Sequence, residues 1–336
     1  GDYYIRKTTD MYTVGETLPD IFGATSPKGN YADMTTRGWE ITLTWRDQFQ
    51  LADKPFNYEI RGTLSDYIST IDRYNNKDGK LSDYYAGQRV GEIWGYVTEG
   101  LFQSQEEIDN HADQTLIQSS SQRVTYPGDV KIKDLNGDGV IDYGQNTVDD
   151  HGDKTIIGNS LPRFAYSVNL SANWNNFFFS AFFQGVGRQH WYPSNECIFW
   201  GQYNRPYNNL PEWHLDNYWT EDNRDAYLPR YAGYNSSIKS TPQTRYLQNA
   251  AYIRLKNLQL GYNLPQTVTS KLRMQNARVY ISAENLWCWS PLYKHTRDLD
   301  VTNISGSDPD LTDGKSGDGH SYPQMTSVSL GVSLTF

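Results

Sequence analysis

One stretch of the sequence has side chains whose types and spacing suit a metal ion. Residues 134–142 read Asp-Leu-Asn-Gly-Asp-Gly-Val-Ile-Asp. An EF-hand calcium loop places oxygen ligands at positions 1, 3, 5, 7 and 9 and a glycine at position 6. The corresponding oxygens here belong to Asp134, Asn136, Asp138, the Val140 carbonyl and Asp142. The spacing therefore predicts a bound calcium ion as the cofactor of this segment.

The motif departs from a full EF-hand at its twelfth position. Gln145 stands there, and an amide cannot chelate calcium with two oxygens. Asp149, Asp150 or Asp153 is the candidate for the additional ligand, with water as the alternative. Glycine and proline flank the motif instead of helix formers, so we expect a structural ion that pins a loop, not a calcium sensor. An Asx-rich turn without metal is the other interpretation.

A second candidate site is the aromatic-rich segment 187–250. Exposed aromatic rings offer a large contact area at low entropic cost and suit sugar stacking or a protein partner. Trp191, Tyr192, Trp200 and Tyr203 are the candidate substrate-binding residues. The alternative is that the aromatic side chains form a small core within the segment itself. They are Trp191, Tyr192, Phe199, Trp200, Tyr203, Tyr207, Trp213, Tyr218 and Trp219.

Catalytic and nucleic-acid functions have little support. The six histidines are scattered without metal-binding spacing, and no carboxylate pair stands out as an acid–base couple. We predict no catalytic residues and no enzyme activity. The net charge of −9 argues against a nucleic-acid partner, which requires a basic face. Cys197 and Cys288 are the two cysteines, and one disulfide or two free thiols are both open.

Period-two alternation of apolar and polar residues recurs along the chain and predicts β-strands. In the last segment Val328, Leu330 and Val332 alternate with serine and glycine. The alternation changes phase at Lys256-Asn257, which predicts a β-bulge, and the Ser104–Glu107 capping box predicts one short helix. The predicted strands are 2–9, 38–47, 56–66, 164–174, 177–186, 251–264, 277–287 and 325–336.

The connections between these strands alternate in length. Short turns on one side and long loops on the other are typical of bacterial outer-membrane barrels, which also carry aromatic residues near strand ends. The pattern predicts an all-β fold, an antiparallel transmembrane β-barrel, although a soluble β-sandwich also shows alternating strands. The long connections are 10–37, 67–163, 187–250 and 288–324, and the short ones are 48–55, 175–176 and 265–276.

Several stretches together resemble a known family. They are DYYIRKT at 2–8, GWEI at 38–41, GYVTEGLF at 95–102, PGDV at 127–130 leading to DLNGDGVID, TIIGN at 155–159, YIRLKNLQLGY at 252–262, VYISAENL at 279–286 and the terminal Phe336. In this set and order they resemble the C-terminal part of a SusC/RagA-type TonB-dependent outer-membrane transporter of Bacteroidetes.

The resemblance implies a barrel of about 22 strands with a plugged lumen. Residues 1–336 would form its last eight strands, and the plug domain and earlier strands would lie outside this chain. Segment 67–163 would be a long extracellular loop with the calcium motif, and 187–250 an aromatic-rich extracellular loop. A self-contained eight-stranded barrel is the alternative.

The implied function is TonB-dependent import of a glycan-derived oligosaccharide or an oligopeptide across the bacterial outer membrane. A SusD-like surface lipoprotein would act as the lid, and the TonB-ExbB-ExbD complex would act through the missing N-terminal part. Membrane lipid and lipopolysaccharide would surround a homodimer of the transporter–lipoprotein pair. The alternatives are a TonB-dependent siderophore or vitamin receptor, and a secreted calcium-binding glycan-adhesion β-sandwich.

Overall fold

The structure is a computed structural model, and it describes residues 1–14, 21, 23, 27–118, 124–193, 197–203, 209–231, 241–304 and 324–336. Strands dominate these residues. They are β1 (Asp2–Val14), β2 (Lys28–Leu51), β3 (Lys54–Arg73), β4 (Glu92–Tyr96), β5 (Thr98–Leu101), β6 (Val130–Ile132), β7 (Lys154–Asn159), β8 (Arg163–Trp174), β9 (Phe177–Arg188), β10 (His190–Trp191), β11 (Gln248–Asn249), β12 (Tyr252–Asn263), β13 (Asn276–Trp289) and β14 (Ser327–Thr335). The α-helices are α1 (Gln105–Asp109) and α2 (Gln266–Thr269).

Eight of the strands form one sheet in the order β1-β2-β3-β8-β9-β12-β13-β14. Each strand pairs antiparallel with the next strand of the sheet, and each overlaps one of the eight predicted segments. The predicted all-β antiparallel fold is confirmed. Within the described residues β1 and β14 each have one neighbour, so the sheet is open.

The hairpin of β2 and β3 is longer than predicted. β2 has 24 residues and β3 has 20, whereas the sequence predicts 38–47 and 56–66. The ladder continues from Asp47 opposite Tyr58 to Leu51 opposite Lys54. The predicted strands ended too early, since Phe49 and Leu51 continue the alternation of β2 beyond Asp47 and the pairing with β3 extends to the turn. Only Ala52 and Asp53 form the turn, both at positive φ, which matches the twist of a two-residue hairpin.

The alternation of tight and long connections is confirmed. Asn175 and Asn176 make a second two-residue turn at positive φ, and α2 lies in the third short connection, between β12 and β13. At the other end of the sheet the connections span 15–27, 74–162, 189–251 and 290–326. Every long connection therefore leaves the sheet at the same end.

Two local predictions are also confirmed. The pairing of β12 with both neighbours shifts register between Leu255 and Asn257, which is the predicted bulge. Helix α1 begins after Ser104, whose side chain accepts a hydrogen bond from the Glu107 amide. The Glu107 carboxylate accepts the Gln103 amide at 3.0 Å, one residue before the position that a capping box predicts.

The two faces of the sheet differ in polarity. One register row carries apolar or aromatic side chains across six strands: Tyr58, Ala172, Phe179, Leu260, Ile281 and Leu330. On the last strand Leu330 is 74% exposed. The opposite face is mainly polar, with Thr63 and Ser167 hydrogen-bonded at 2.6 Å and Arg46 paired with Glu59, and it also carries Phe178 and Phe182 of β9. The sheet thus leaves its apolar face exposed.

The long connections fold into a second body, which we call the loop domain: the described residues of 74–162, 189–251 and 290–304. It contains the small sheets β4–β7, β5–β6 and β10–β11. Its hydrophobic core includes Tyr96, Ile132, Ile141, Phe199, Trp200, Tyr203, Leu228, Tyr246 and Leu292. None of the helices in the described part of the chain is long and apolar enough to cross a membrane.

Candidate functional site

The calcium motif is a tight loop wound around its own carboxylates. Asp134 accepts the amides of Gly137 at 2.6 Å and Gly139 at 2.9 Å. The bond from Gly139 is the main reason that the pKa of Asp134 lies below its usual value. Asp138 accepts the Val140 amide and the Asn136 side chain, both at 2.9 Å. The sequence spacing thus brings the first predicted ligands into one turn.

Asp153 closes this loop, a role that the motif did not reveal. The residue is completely buried. One of its carboxylate oxygens accepts the Leu135 amide at 2.7 Å, and the other accepts the Asp142 amide at 2.9 Å. Asp153 therefore joins the two ends of the motif. The only sequence signal for it was the excess of aspartates after position 142.

The remaining candidates for the additional ligand differ in position. Asp149 and Asp150 are both exposed. A Cβ added to Gly144 would meet the Asp150 carboxylate at 2.1 Å, so Asp150 packs directly against the segment that follows Asp142. Each Asp153 oxygen accepts one backbone hydrogen bond, as each Asp134 oxygen does, so Asp149, Asp150, Asp153 and water all stay candidates for the additional ligand.

The donor set fits a hard cation in type. A carboxylate has about four lone-pair sites, so one backbone hydrogen bond on each oxygen of Asp134 leaves acceptor capacity. Within the described residues, no group of three or more His, Cys, Asp or Glu side chains is arranged to hold a metal ion. The predicted set contains three such residues, Asp134, Asp138 and Asp142, and in this structure they do not converge on one point. The calcium site stays a prediction.

The motif is anchored to the core of the loop domain. Ile141 is completely buried, and its amide donates to the Asp113 carbonyl at 2.8 Å, while the Asp113 amide donates to the Gly139 carbonyl at 2.9 Å. Tyr96 packs nearby, and its pKa is raised by burial and then by the charges of Asp153 and Asp142. Changes in the calcium motif would therefore reach the aromatic core directly.

The four predicted substrate-binding aromatics lie inside the loop domain. Trp200 and Tyr203 are 0% exposed and Trp191 is 9% exposed, and burial raises the pKa of the Tyr192 hydroxyl. Trp200 makes edge contacts with Phe199 and Tyr246 at 5.1 and 5.2 Å between ring centroids. This is the arrangement of the alternative, a small internal core. Substrate contact by these four residues stays a prediction. Tyr207, another aromatic residue of the segment, lies outside the described residues.

A buried histidine at the centre of this core had no sequence signal. His214 is 0% exposed, with Nε2 at 2.9 Å from the Phe199 carbonyl and Nδ1 at 2.7 Å from the Tyr231 hydroxyl. Since the carbonyl only accepts, Nε2 carries the proton and Nδ1 accepts from the tyrosine. Burial lowers the pKa of His214 to about 4, so the core holds a neutral imidazole at pH 7.

A buried ion pair fixes the last long connection to the sheet. Arg254 of β12 donates to Asp300 at 2.5 Å, and their side chains are 5% and 9% exposed. Asp300 also accepts the Gln324 amide at 3.1 Å, so one carboxylate joins both described ends of this connection to β12.

Cys197 and Cys288 are free thiols, so of the two states left open by the sequence, one disulfide or two thiols, the structure has the two thiols.

Comparison with known proteins places these features in a family context. A scan against protein-family models finds no match. The curated protein "TonB-dependent receptor P26" of Formosa agariphila is 26% identical over 364 residues, covering 100% of this chain and 32% of that protein. "TonB-dependent receptor P3" of the same organism is 25% identical, again with 100% and 32% coverage. The chain spans about a third of the length of these relatives.

Solved structures show the same fold. "Structure of the RagAB peptide transporter" aligns with a TM-score of 0.65 and 18% identity, covering 99% of this chain and 33% of that one. "Structure of the RagAB peptide importer in the 'open-open' state" aligns with a TM-score of 0.62 and 18% identity, covering 99% and 32%. Together with the curated relatives, these matches confirm the resemblance to TonB-dependent transporters along the whole chain.

Proposed function

We propose that residues 1–336 form the last eight strands of the barrel of a TonB-dependent importer in the bacterial outer membrane. The observation that carries this proposal is the exposed apolar face shared by consecutive strands, with a polar face behind it. Such a face suits lipid on one side and an aqueous lumen on the other. In a barrel of about 22 strands, β1 and β14 would pair with strands outside this chain, because a sheet in lipid leaves no free edge.

The proposed cargo is an oligopeptide or a glycan-derived oligosaccharide. The two structural neighbours are titled as a peptide transporter and a peptide importer, which favours the oligopeptide. Segments 67–163 and 187–250 would be extracellular loops that meet a SusD-like lipoprotein lid. TonB-ExbB-ExbD would act through the part of the protein outside this chain, and a homodimer of the transporter–lipoprotein pair would sit among lipid and lipopolysaccharide. The curated relatives are named receptors, which agrees with a role other than catalysis.

The alternatives receive less support. In a secreted β-sandwich the apolar faces of two sheets pack against each other, whereas the apolar face here is exposed, with Leu43 72% and Leu330 74% accessible. A siderophore or vitamin receptor would share the barrel and the TonB dependence. Uptake assays with peptides, oligosaccharides and ferric chelates in cells with and without TonB separate these cargoes. Uptake of none of them, or uptake that persists without TonB, would contradict the import proposal.

Cysteine labelling of intact cells tests the topology. With Cys197 and Cys288 replaced by serine in the full-length protein, a cysteine at Leu215 in the loop domain should react with an impermeant maleimide. A cysteine at Asn176, in the tight turn between β8 and β9, should react only after the cells are opened. Leu215 is 51% exposed, and Asn176 is also exposed, so burial does not explain a difference. Surface labelling at position 176 would reject this orientation.

We also propose that the 134–142 motif holds a structural calcium ion, with Asp134, Asn136, Asp138, Val140 and Asp142 as donors and Asp149, Asp150, Asp153 or water completing the set. Ordering a long loop costs conformational entropy, and a bound ion is a local way to offset that cost. Removing calcium with EGTA should increase hydrogen exchange across 129–158 and leave the eight-stranded sheet protected. Asp138→Asn should reduce the calcium response, whereas Asp109→Asn, an equal charge change on α1, should preserve it. Identical exchange with and without calcium would contradict the proposal.

A further inference from the structure

A cavity of about 360 Å³ lies where the loop domain meets the ends of β8 and β9. Its charged lining consists of three arginines, Arg89, Arg163 and Arg188, and one carboxylate, Glu92. Isoleucine, leucine and asparagine side chains of the β7 end complete the wall. The volume is at the small end for ligand sites, so it suits one chemical group or residue of a larger molecule.

The two nearby carboxylates are already engaged. Asp66 forms a two-bond pair with Arg163, with both bonds at 2.5 Å. Glu92 accepts the Tyr85 hydroxyl at 2.6 Å and the backbone amide of Arg89 at 3.1 Å. Among the residues that the structure describes, no carboxylate lies within ion-pair distance of the Arg89 or Arg188 guanidinium. Both groups therefore face the cavity with free donors.

The sheet register adds a second reason to expect a negative group here. Arg163 stands directly opposite Arg188 in the β8–β9 ladder, and like charges in that position are destabilising. Asp66 compensates Arg163 only. His190 follows close by, and its pKa is lowered first by burial and then by the Arg188 charge. The rim is thus locally positive in a chain whose net charge is −9.

The cavity wall is held in place by the protein itself. The Asn159 side chain donates to the Val90 carbonyl at 3.0 Å and accepts the Leu161 amide at 2.9 Å. The Asn159 amide donates to His190 Nδ1 at 3.1 Å. These bonds fix the corner between β7 and β8 that forms one side of the cavity. A preformed site loses little entropy when it binds a ligand.

The position of Arg188 indicates which side of the sheet the cavity serves. Alternate residues of a strand share a face, so Arg188 lies on the same face of β9 as Ser180 and Gln184. That is the polar face, where Ser180 stands opposite Ser171. Phe178 and Phe182 share this face with the polar residues, whereas Phe179, Ala181 and Phe183 lie on the face of the apolar register row. Arg188 therefore lies on the side of the proposed lumen.

We propose that Arg89 and Arg188 bind a carboxylate group of the imported substrate at the extracellular rim of the lumen. This inference rests on the proposed import function and makes it more specific. A guanidinium matches a carboxylate with two parallel hydrogen bonds, and two such groups at one small cavity would capture an acidic side chain or a chain terminus.

Binding of matched peptides to the purified full-length transporter tests the proposal. The probes are acetyl-trialanine with a free C-terminal carboxylate and the same peptide as its C-terminal amide. The free acid should bind at least about tenfold more tightly than the amide. Arg188→Gln should remove that difference. Arg188→Lys keeps the positive charge but cannot form two parallel hydrogen bonds, so its preference for the acid should be intermediate. Arg61→Gln, an equal charge change at an exposed polar-face position of β3, should leave the preference intact.

Several outcomes would overturn the inference. Equal affinity for acid and amide would reject a carboxylate site, and an equal loss in the Arg61 variant would show a general charge effect. If the Arg188 variants lose co-purifying lipopolysaccharide but keep the peptide preference, the arginines serve lipid phosphates. If Arg188→Gln fails to fold, Arg89→Gln gives the same comparison. Loss of TonB-dependent uptake of every cargo would contradict the proposed function, whereas intact uptake without acid preference would contradict this site alone.

Discussion

The eight-stranded sheet and the loop domain differ in how far they bury their large apolar side chains. In the sheet, large apolar side chains are exposed, as at Trp45, which is 62% accessible. In the loop domain the largest fully buried side chain, Trp200, is 0% accessible. Apolar burial drives folding in water, and only the loop domain follows that rule. The contrast agrees with the proposal that the sheet lies in lipid and the loop domain in water.

The same contrast appears in their hydrogen bonding. The sheet satisfies its backbone through continuous ladders between neighbouring strands, which is a requirement in lipid. The loop domain relies on side chains as well: Asp153 bonds two amides of the calcium motif, and Tyr203 donates to the Pro229 carbonyl at 2.5 Å. Regular pairing thus holds the sheet, whereas specific side chains hold the loops. Single substitutions should therefore act very differently in the two regions.

The largest effect is expected for a truncation in the loop core. Trp200→Ala removes a fully buried ring that contacts Phe199 and Tyr246, and such changes cost about 3–5 kcal/mol. Trp45→Ala is the matched change on the exposed face of the sheet and should cost much less in detergent. Hydrogen exchange in the loop domain and in the sheet, recorded in detergent, measures the loss of stability in the two variants. Equal losses at the two positions would remove the distinction between the regions.

A charge placed on either face of the last strand tests the sheet directly. Leu330→Arg puts a guanidinium on the apolar face and should reduce stability in a bilayer by about 2–4 kcal/mol. Ser329→Arg makes the same addition on the polar face and should cost less. Urea unfolding in lipid vesicles compares the two variants. If Ser329→Arg is as costly as Leu330→Arg, then the apolar face does not contact lipid.

Sequence reasoning located the strands because each has a simple physical signature. Val328, Leu330 and Val332 alternate with small polar residues, and the phase change at Lys256-Asn257 marked the bulge. It missed the ends of β2 and β3, although Phe49 and Leu51 still alternate with Gln48 and Gln50 beyond Asp47. There the pairing partner decides the structure, and no local pattern identifies that partner.

The loop domain was much less predictable. Aromatic content identified a candidate region, but the same composition suits a binding surface and a buried core. Burial of Trp200 depends on contacts with Tyr246, which lies 46 residues further along the chain. Asp153 and His214 likewise acquire their roles from distant backbone groups. The motif spacing at 134–142 predicted a local turn, whereas the partners that anchor it come from the tertiary fold.

The pH dependence of the loop domain is the smallest of the predicted effects and depends on one residue. His214 has a pKa of about 4 in the folded state because it is buried, whereas an unfolded histidine has a pKa of about 6.5. Between these values the unfolded state binds more protons than the folded state, so stability falls as the pH falls. The loss should reach at most about 3 kcal/mol near pH 4, and it should be absent above pH 7.

The variant His214→Gln isolates this contribution. The glutamine amide can still donate to the Phe199 carbonyl, but it does not titrate in this range. Chemical unfolding of the loop domain followed by tryptophan fluorescence at pH 7, 5.5 and 4 should show a steeper loss in the wild type than in the variant. Carboxylates of the sheet and the loops titrate in both proteins, so the difference between the two curves reports His214. Parallel curves would show that the imidazole is hydrated or already charged in the folded protein. Water would then reach the centre of the loop domain, which would contradict the buried core that distinguishes this domain from the sheet.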